Sequence, residues 1–176
     1  MKHIITFAGS NSQNSINKQL AMYASTLVEE VDVTVLDLND FDLPIYGIDF
    51  EIKHGIPDDV HAFLKHIESS DGIILSLAEH NGAYATAFKN IFDWMSRAEQ
   101  KLFSGKPMLL MATSPGARGG QSVLAMANDR FPRHEANIVA MFSLPSFGAN
   151  FQDGKITNED LNQQLLEKVK QFQNSL

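Results

Sequence analysis

Residues 72–78 read Gly-Ile-Ile-Leu-Ser-Leu-Ala, a nearly continuous apolar run. A strand with one face in water alternates apolar and polar residues. A run this continuous belongs to a strand covered on both faces, as in a parallel sheet with helices above and below. The same character returns at 106–114, Lys-Pro-Met-Leu-Leu-Met-Ala-Thr-Ser. Two such strands dictate a layered α/β architecture, so the remaining segments have to supply further strands and the covering helices.

They do so in alternation. Residues 3–8, His-Ile-Ile-Thr-Phe-Ala, read as a first buried strand. From Ser15 the period becomes helical, with Ile16, Leu20, Tyr23, Leu27 and Val28 on one face. Residues 31–38 alternate in and out as a second strand. A long connection at 39–57 holds Pro44, Gly47, Gly55 and Pro57, all breakers of regular structure. A helix is expected from near Pro57, with Asp58 and Asp59 in its first turn and Val60, Phe63, Leu64 and Ile67 inward. Further helices are expected at about 84–98 and 120–130, and a fifth strand at 137–144. A last helix follows, with Thr157 as N-cap and Leu161, Leu165, Val169 and Phe172 inward. Five strand–helix alternations in 176 residues predict one domain, 1–176. Right-handed crossovers leave a half-Rossmann or a flavodoxin-like arrangement. Five strands favour the second: a parallel sheet of order 2-1-3-4-5 with helices on both faces.

Several function classes are excluded at once. There is no cysteine, so disulfides, thiolate catalysis and Cys-ligated metals are absent. A formal net charge of −7 disfavours nucleic acid as a partner. No apolar run approaches the length of a membrane span, and Lys2 leads into only a few apolar residues before Gly9 and Ser10, unlike a signal peptide. A cytoplasmic protein without a membrane partner is the expectation. No pair among the six histidines has the H-E-x-x-H spacing, and no G-x-S-x-G elbow occurs.

In a sheet of this order, ligands bind beyond the carboxyl ends of the strands, at the switch point between strands one and three. The first loop carries Ser10, Asn11, Ser12, Gln13, Asn14 and Ser15 in succession. It lacks both G-x-G-x-x-G and the nucleoside-triphosphate loop pattern. Hydroxyls, amides and backbone N–H groups at a helix start suit a phosphate monoester; Ser15 capping the helix, with its neighbours solvated, is the plainer alternative. After strand three, Asn81-Gly82 permits a turn with positive φ. After strand four, Gly116, Gly119 and Gly120 allow a flat ligand close to the backbone, and Arg118 offers a cation for an anion or a ring.

The segments Gly-Ser-Asn-Ser-Gln-Asn-Ser-Ile-Asn from Gly9, Ala-Glu-His-Asn-Gly-Ala-Tyr from Ala78 and Ser-Pro-Gly-Ala-Arg-Gly-Gly from Ser114 resemble, in order, three segments of the NADPH-dependent FMN reductase family. The helix that follows the second, with its Lys-Asn-x-x-Asp-Trp from Lys89, extends the likeness. It covers roughly residues 3–145. Ser12 stands where that family usually has arginine, Ala78 and His80 replace a usual proline and tyrosine, and Ala85-Thr86 replaces a usual proline-glycine. The resemblance implies an FMN-dependent NAD(P)H oxidoreductase. Hydride would pass from NADPH or NADH to FMN, and on to a quinone, free flavin or similar small-molecule acceptor. It implies that Ser10, Ser12, Ser15, Ile16 and Asn17 hold the FMN phosphate. Glu79, His80, Asn81, Gly82, Ser114, Gly116, Arg118 and Gly119 would lie along the ring. No residue is assigned as an acid or base, because hydride chemistry belongs to the cofactor. The resemblance also implies a homodimer or tetramer with helix 84–98 at the interface and Trp94 or Phe88 between subunits. A flavin-binding electron-transfer module, or a member that no longer binds flavin tightly, are the competing readings.

Overall fold

The computed structural model describes residues 1–176. Five strands build the main sheet: β1 (Lys2–Gly9), β2 (Val31–Leu36), β3 (Gly72–Leu77), β6 (Pro107–Thr113) and β7 (Asn137–Leu144). They lie all parallel in the order β2-β1-β3-β6-β7, which is the expected 2-1-3-4-5. Two short hairpins, β4 (Glu79–His80) with β5 (Ala83–Tyr84) and β8 (Phe151–Gln152) with β9 (Lys155–Ile156), stand outside it. The helices are α1 (Ile16–Thr26), α2 (Ile48–His54), α3 (Asp58–Ser69), α4 (Thr86–Ala98), α5 (Gln121–Arg130), α6 (Phe147–Asn150) and α7 (Glu159–Gln173). None is long and apolar enough to cross a membrane.

Strand periodicity divides the apolar runs between two cores. Phe7, Leu75 and Leu110 stand side by side in register on one face, with Ile5, Ile73 and Met108 beside them. They meet α3, α4 and α5 through Phe63, Phe88, Trp94 and Val123. On the other face Ile4, Ile74, Leu109 and Met111 meet Leu20 and Ala24 of α1 and Leu165, Val169 and Phe172 of α7. Every residue of β3 is buried, whereas edge strand β2 is largely exposed. The unbroken apolar run and the covered position are therefore one fact seen twice.

The structure departs from the sequence expectations where tertiary contacts outweigh local signals. The connection 39–57 holds a 3-10 turn at Leu38–Asp40 and the helix α2, neither of them expected. Nothing in α2 is buried, so no apolar stripe announced it. It is held instead from α4. The Trp94 indole donates to the Pro44 carbonyl at 2.8 Å, Asn90 donates to the same carbonyl and accepts from the Tyr46 N–H, and Arg97 pairs with Glu51 at 2.9 Å. The last helix is capped by Asn158, which accepts from the Leu161 N–H at 3.0 Å, and not by Thr157. Tyr84 and Ala85 precede α4 instead of opening it, because Tyr84 is drawn into the hairpin opposite Glu79. Trp94 and Phe88 are fully buried inside the chain, so neither side chain is free to lie between subunits.

Candidate functional site

Three connections meet at the carboxyl ends of β1, β3 and β6, and one buried side chain ties them. The Asn17 amide, in the first turn of α1, accepts from the Thr113 N–H (3.0 Å) and the Ser76 hydroxyl (2.7 Å), and donates to the Thr113 carbonyl (3.1 Å). Thr113 in turn donates through its hydroxyl to the Leu144 carbonyl at 2.7 Å. The start of α1 is thereby fixed against β3, β6 and β7. The Asn17 carboxamide oxygen is thus committed within the chain, while its backbone N–H stays free.

The loop before α1 is locally closed. Ser15 caps the helix by accepting from the Lys18 N–H, its own N–H donates to the Ser12 carbonyl, and the Ser10 hydroxyl accepts from the Ser12 N–H. The N–H groups of Gln13, Asn14, Ile16 and Asn17 have no acceptor within the chain. These are the unpaired donors a helix start presents, concentrated where its dipole is positive. No lysine or arginine lines this cradle. Lys18 is turned to Asp37: despite partial burial of that carboxyl, its hydrogen bonds with Lys18 and Asn39 hold it below the usual carboxylate range.

The second connection is a two-residue hairpin. Asn81 (φ 52°) and Gly82 (φ 76°) both adopt the left-handed conformation that such a tight turn requires. Its root is held at both ends. Glu79 accepts from the Val123 N–H at 2.8 Å, placing a carboxylate at the start of α5, where Gly120 supplies no side-chain cap. Tyr84 packs on Phe88 and Phe131 at 5.4 and 6.0 Å, and burial pushes its hydroxyl up to about 12.

In the third connection the glycines serve different ends. A Cβ on Gly119 (φ 57°) would sit 2.4 Å from the Ser143 hydroxyl and 2.9 Å from the Leu144 backbone, so this glycine lets the loop lie against β7. Gly116 faces open space, with only the Ser114 hydroxyl within reach of such a Cβ. Ser114 donates to the Gly116 carbonyl. Arg118 is exposed and, from the loop before α5, donates to the Ser122 hydroxyl of that helix at 3.2 Å.

Two hollows occupy this end of the molecule. The smaller, about 240 Å³, is polar and is lined by Ser10, Ser12, Ser15, Glu79 and Ser114 among others. The larger, about 500 Å³, is bounded by Leu38, Phe41, Leu43 and Ile45 from the connection after β2 and by Thr86 and Ile91 of α4. His80 is the one residue that lines both, so the two hollows adjoin at that residue and together make up a trough with a polar and a half-apolar end. Of the sequence candidates, Ser10, Ser12, Ser15, Ile16, Asn17, Glu79, His80 and Ser114 line the trough. Asn81, Gly82, Gly116, Arg118 and Gly119 belong to the connections around it without lining either hollow. The apolar wall at 38–45 and the clamps Ser76 and Thr113 were not among the candidates. The 38–45 wall follows a strand at the ligand end of the sheet, which is the signal that marks it.

The chain matches the model of a family described as NADPH-dependent FMN reductase over residues 2–170. It is 31% identical over 121 residues to a quinone reductase of Escherichia coli K12, covering 66% of this chain and 62% of that one. It is 33% identical over 118 residues to a 2-hydroxy-1,4-benzoquinone reductase of a Burkholderia species, with the same coverage. The chain thus spans 62% of the length of these curated relatives. In structure it is similar to FerB, a flavoenzyme NAD(P)H:(acceptor) oxidoreductase from Paracoccus denitrificans, with a TM-score of 0.76, 27% identity, and 99% and 96% of the two chains covered.

Removing the Asn17 clamp tests how much the site's geometry depends on it. Asn17→Ala leaves the buried Thr113 N–H without an acceptor and strips the Ser76 hydroxyl of its partner. A loss of about 3 kcal/mol of folding stability is expected, read as a lowered urea midpoint with an unchanged slope.

Proposed function

The chain belongs to the NADPH-dependent FMN reductase family, and from that premise we propose that it is an FMN-dependent NAD(P)H oxidoreductase acting on a quinone or similar small acceptor. The observation that carries this reading is the trough: a polar cradle of unpaired N–H groups joined at His80 to a half-apolar hollow. The residues present suit FMN. Four free N–H groups and the hydroxyls of Ser10, Ser12 and Ser15 match a phosphate monoester at a helix start. The hairpin Glu79–Gly82 and the loop carrying Ser114, Gly116, Arg118 and Gly119 would flank a planar ring. When bound, the flavin supplies hydride chemistry. The chain binds it, orients it and leaves one side open for nicotinamide and acceptor in turn. A cytoplasmic setting accords with the cysteine-free sequence. Anaerobic mixing of FMN-loaded protein with NADPH or NADH should bleach the oxidised flavin band, and steady-state kinetics should be ping-pong. If dithionite bleaches the flavin and neither nucleotide does, the protein is an electron carrier and this reading fails.

No lysine or arginine lines the phosphate cradle, and Ser12 lies on its wall. Ser12→Arg would add a charge-assisted hydrogen bond to the phosphate, and FMN should bind about tenfold more tightly or better. Fluorescence titration reads this directly. An unchanged constant would mean that the N–H groups and the helix dipole already meet the phosphate's demand.

The homodimer implied by the resemblance needs an interface other than Trp94 or Phe88. The segment 45–52 offers one: Ile45, in the loop before α2, and Ile48 and Ile52 within it are 80%, 51% and 77% exposed, and no residue of α2 is buried within its own chain. Ile45 also borders the larger hollow, so a partner seated here would wall the trough. Sedimentation should give at least twice the chain mass, and the double variant Ile45→Asp, Ile52→Asp should sediment as a monomer.

A further inference from the structure

We propose that His80 is the proton donor to the acceptor in the second half-reaction. The inference rests on the reductase reading above and concerns a residue for which that reading requires no acid. Reducing a quinone to a hydroquinone takes two electrons and two protons. One hydride, originating from the nicotinamide, brings both electrons and one proton. The second proton has to reach a carbonyl oxygen of the acceptor from elsewhere.

Three titratable side chains line the trough: Asp42, Glu79 and His80. Glu79 lines only the polar end, and its carboxylate accepts from the Val123 N–H. Asp42 lines only the larger hollow, an exposed residue anchored through its N–H to Asp59 of α3. His80 alone stands between the two ends, where a planar acceptor entering the half-apolar hollow would meet a ring extending from the polar cradle. Its imidazole is exposed, makes no hydrogen bond within the chain, and is carried on a hairpin whose root is fixed by Glu79 and Tyr84. Histidine is the side chain that ordinarily changes charge between pH 5 and 8. The imidazolium N–H proton passes to the quinone oxygen as hydride is delivered, and the neutral imidazole regains a proton from solvent at its exposed face. Arg118 lines neither hollow and, being permanently charged, cannot serve.

The test compares two acceptors in FMN-loaded wild type, His80→Phe and His80→Tyr. Tetramethyl-1,4-benzoquinone needs the proton; ferricyanide takes electrons alone. In His80→Phe the ratio of quinone to ferricyanide turnover should fall by about 100-fold or more. Quinone kcat in wild type should show an alkaline limb, and that limb should vanish in His80→Phe. In His80→Tyr it should reappear displaced upward, toward the tyrosine range near 10. A readout without turnover accompanies these: the His80 imidazole resonance in oxidised, NAD(P)H-free protein should shift when the quinone is added. Equal loss with both acceptors, an unchanged ratio, or an unmoved resonance overturns the proposal. Failure of wild type to oxidise NAD(P)H with either acceptor overturns the reductase reading, and this proposal with it.

Discussion

The Asn17 carboxamide is the interaction on which the rest of the site depends. It stands at the beginning of α1 yet meets Thr113 and Ser76, at the ends of two other strands. A carboxamide suits the position because it both donates and accepts, so both backbone groups of Thr113 are met by one side chain. A carboxylate of the same size could not donate to the Thr113 carbonyl and would bury a charge. Fixing the start of α1 against β6 sets where the free N–H groups point. The cluster of free N–H groups is a consequence of a core hydrogen bond and needs no order of its own.

The same logic governs the other two connections. Glu79 is a loop residue spent on the start of α5, and Gly119 is a glycine because β7 lies against it. Each connection is fixed by contacts to the rest of the chain. The Asn81-Gly82 tip and Gly116 stand beside the trough, and the exposed imidazole of His80 lines it. A ligand entering there meets a surface already shaped, so little ordering opposes binding.

Legibility in the sequence tracks how local each cause is. Strands β3 and β6 could be read within a residue or two, because double-sided burial leaves an unbroken apolar run that needs no partner to be recognised; edge strand β7 was equally legible from its apolar sequence, although it is only partly buried. The loops that carry the site followed from strand order alone. Helix α2 escaped because its support comes from Asn90, Trp94 and Arg97, some forty residues away. Trp94 and Phe88 were misplaced for a related reason: an aromatic-rich helix looks alike whether its cover is its own chain or another. Asn17 was seen as a ligand residue, while its side chain proves to be structural. A hydrogen bond spanning 96 residues leaves no mark in spacing.

On the proposed reading, recognition of the phosphate would be dipolar instead of ionic. Lys18 is committed to Asp37 and Arg118 lies beside Ser122, so neither lysine nor arginine lines the polar hollow. Oriented N–H groups and a helix dipole act within the first turn, and being fixed in place they add attraction without the side-chain entropy an arginine would lose. The lack of a permanently charged side chain would also shape the rest of the trough. A cation in the cradle would draw any anionic acceptor toward the phosphate end. With none there, Asp42 and Glu79 are the trough's carboxylates and the half-apolar hollow is left to uncharged rings. On this reading the residue at position 12 would do more than tune affinity at one end; it would set the electrostatic character in which an acceptor approaches His80.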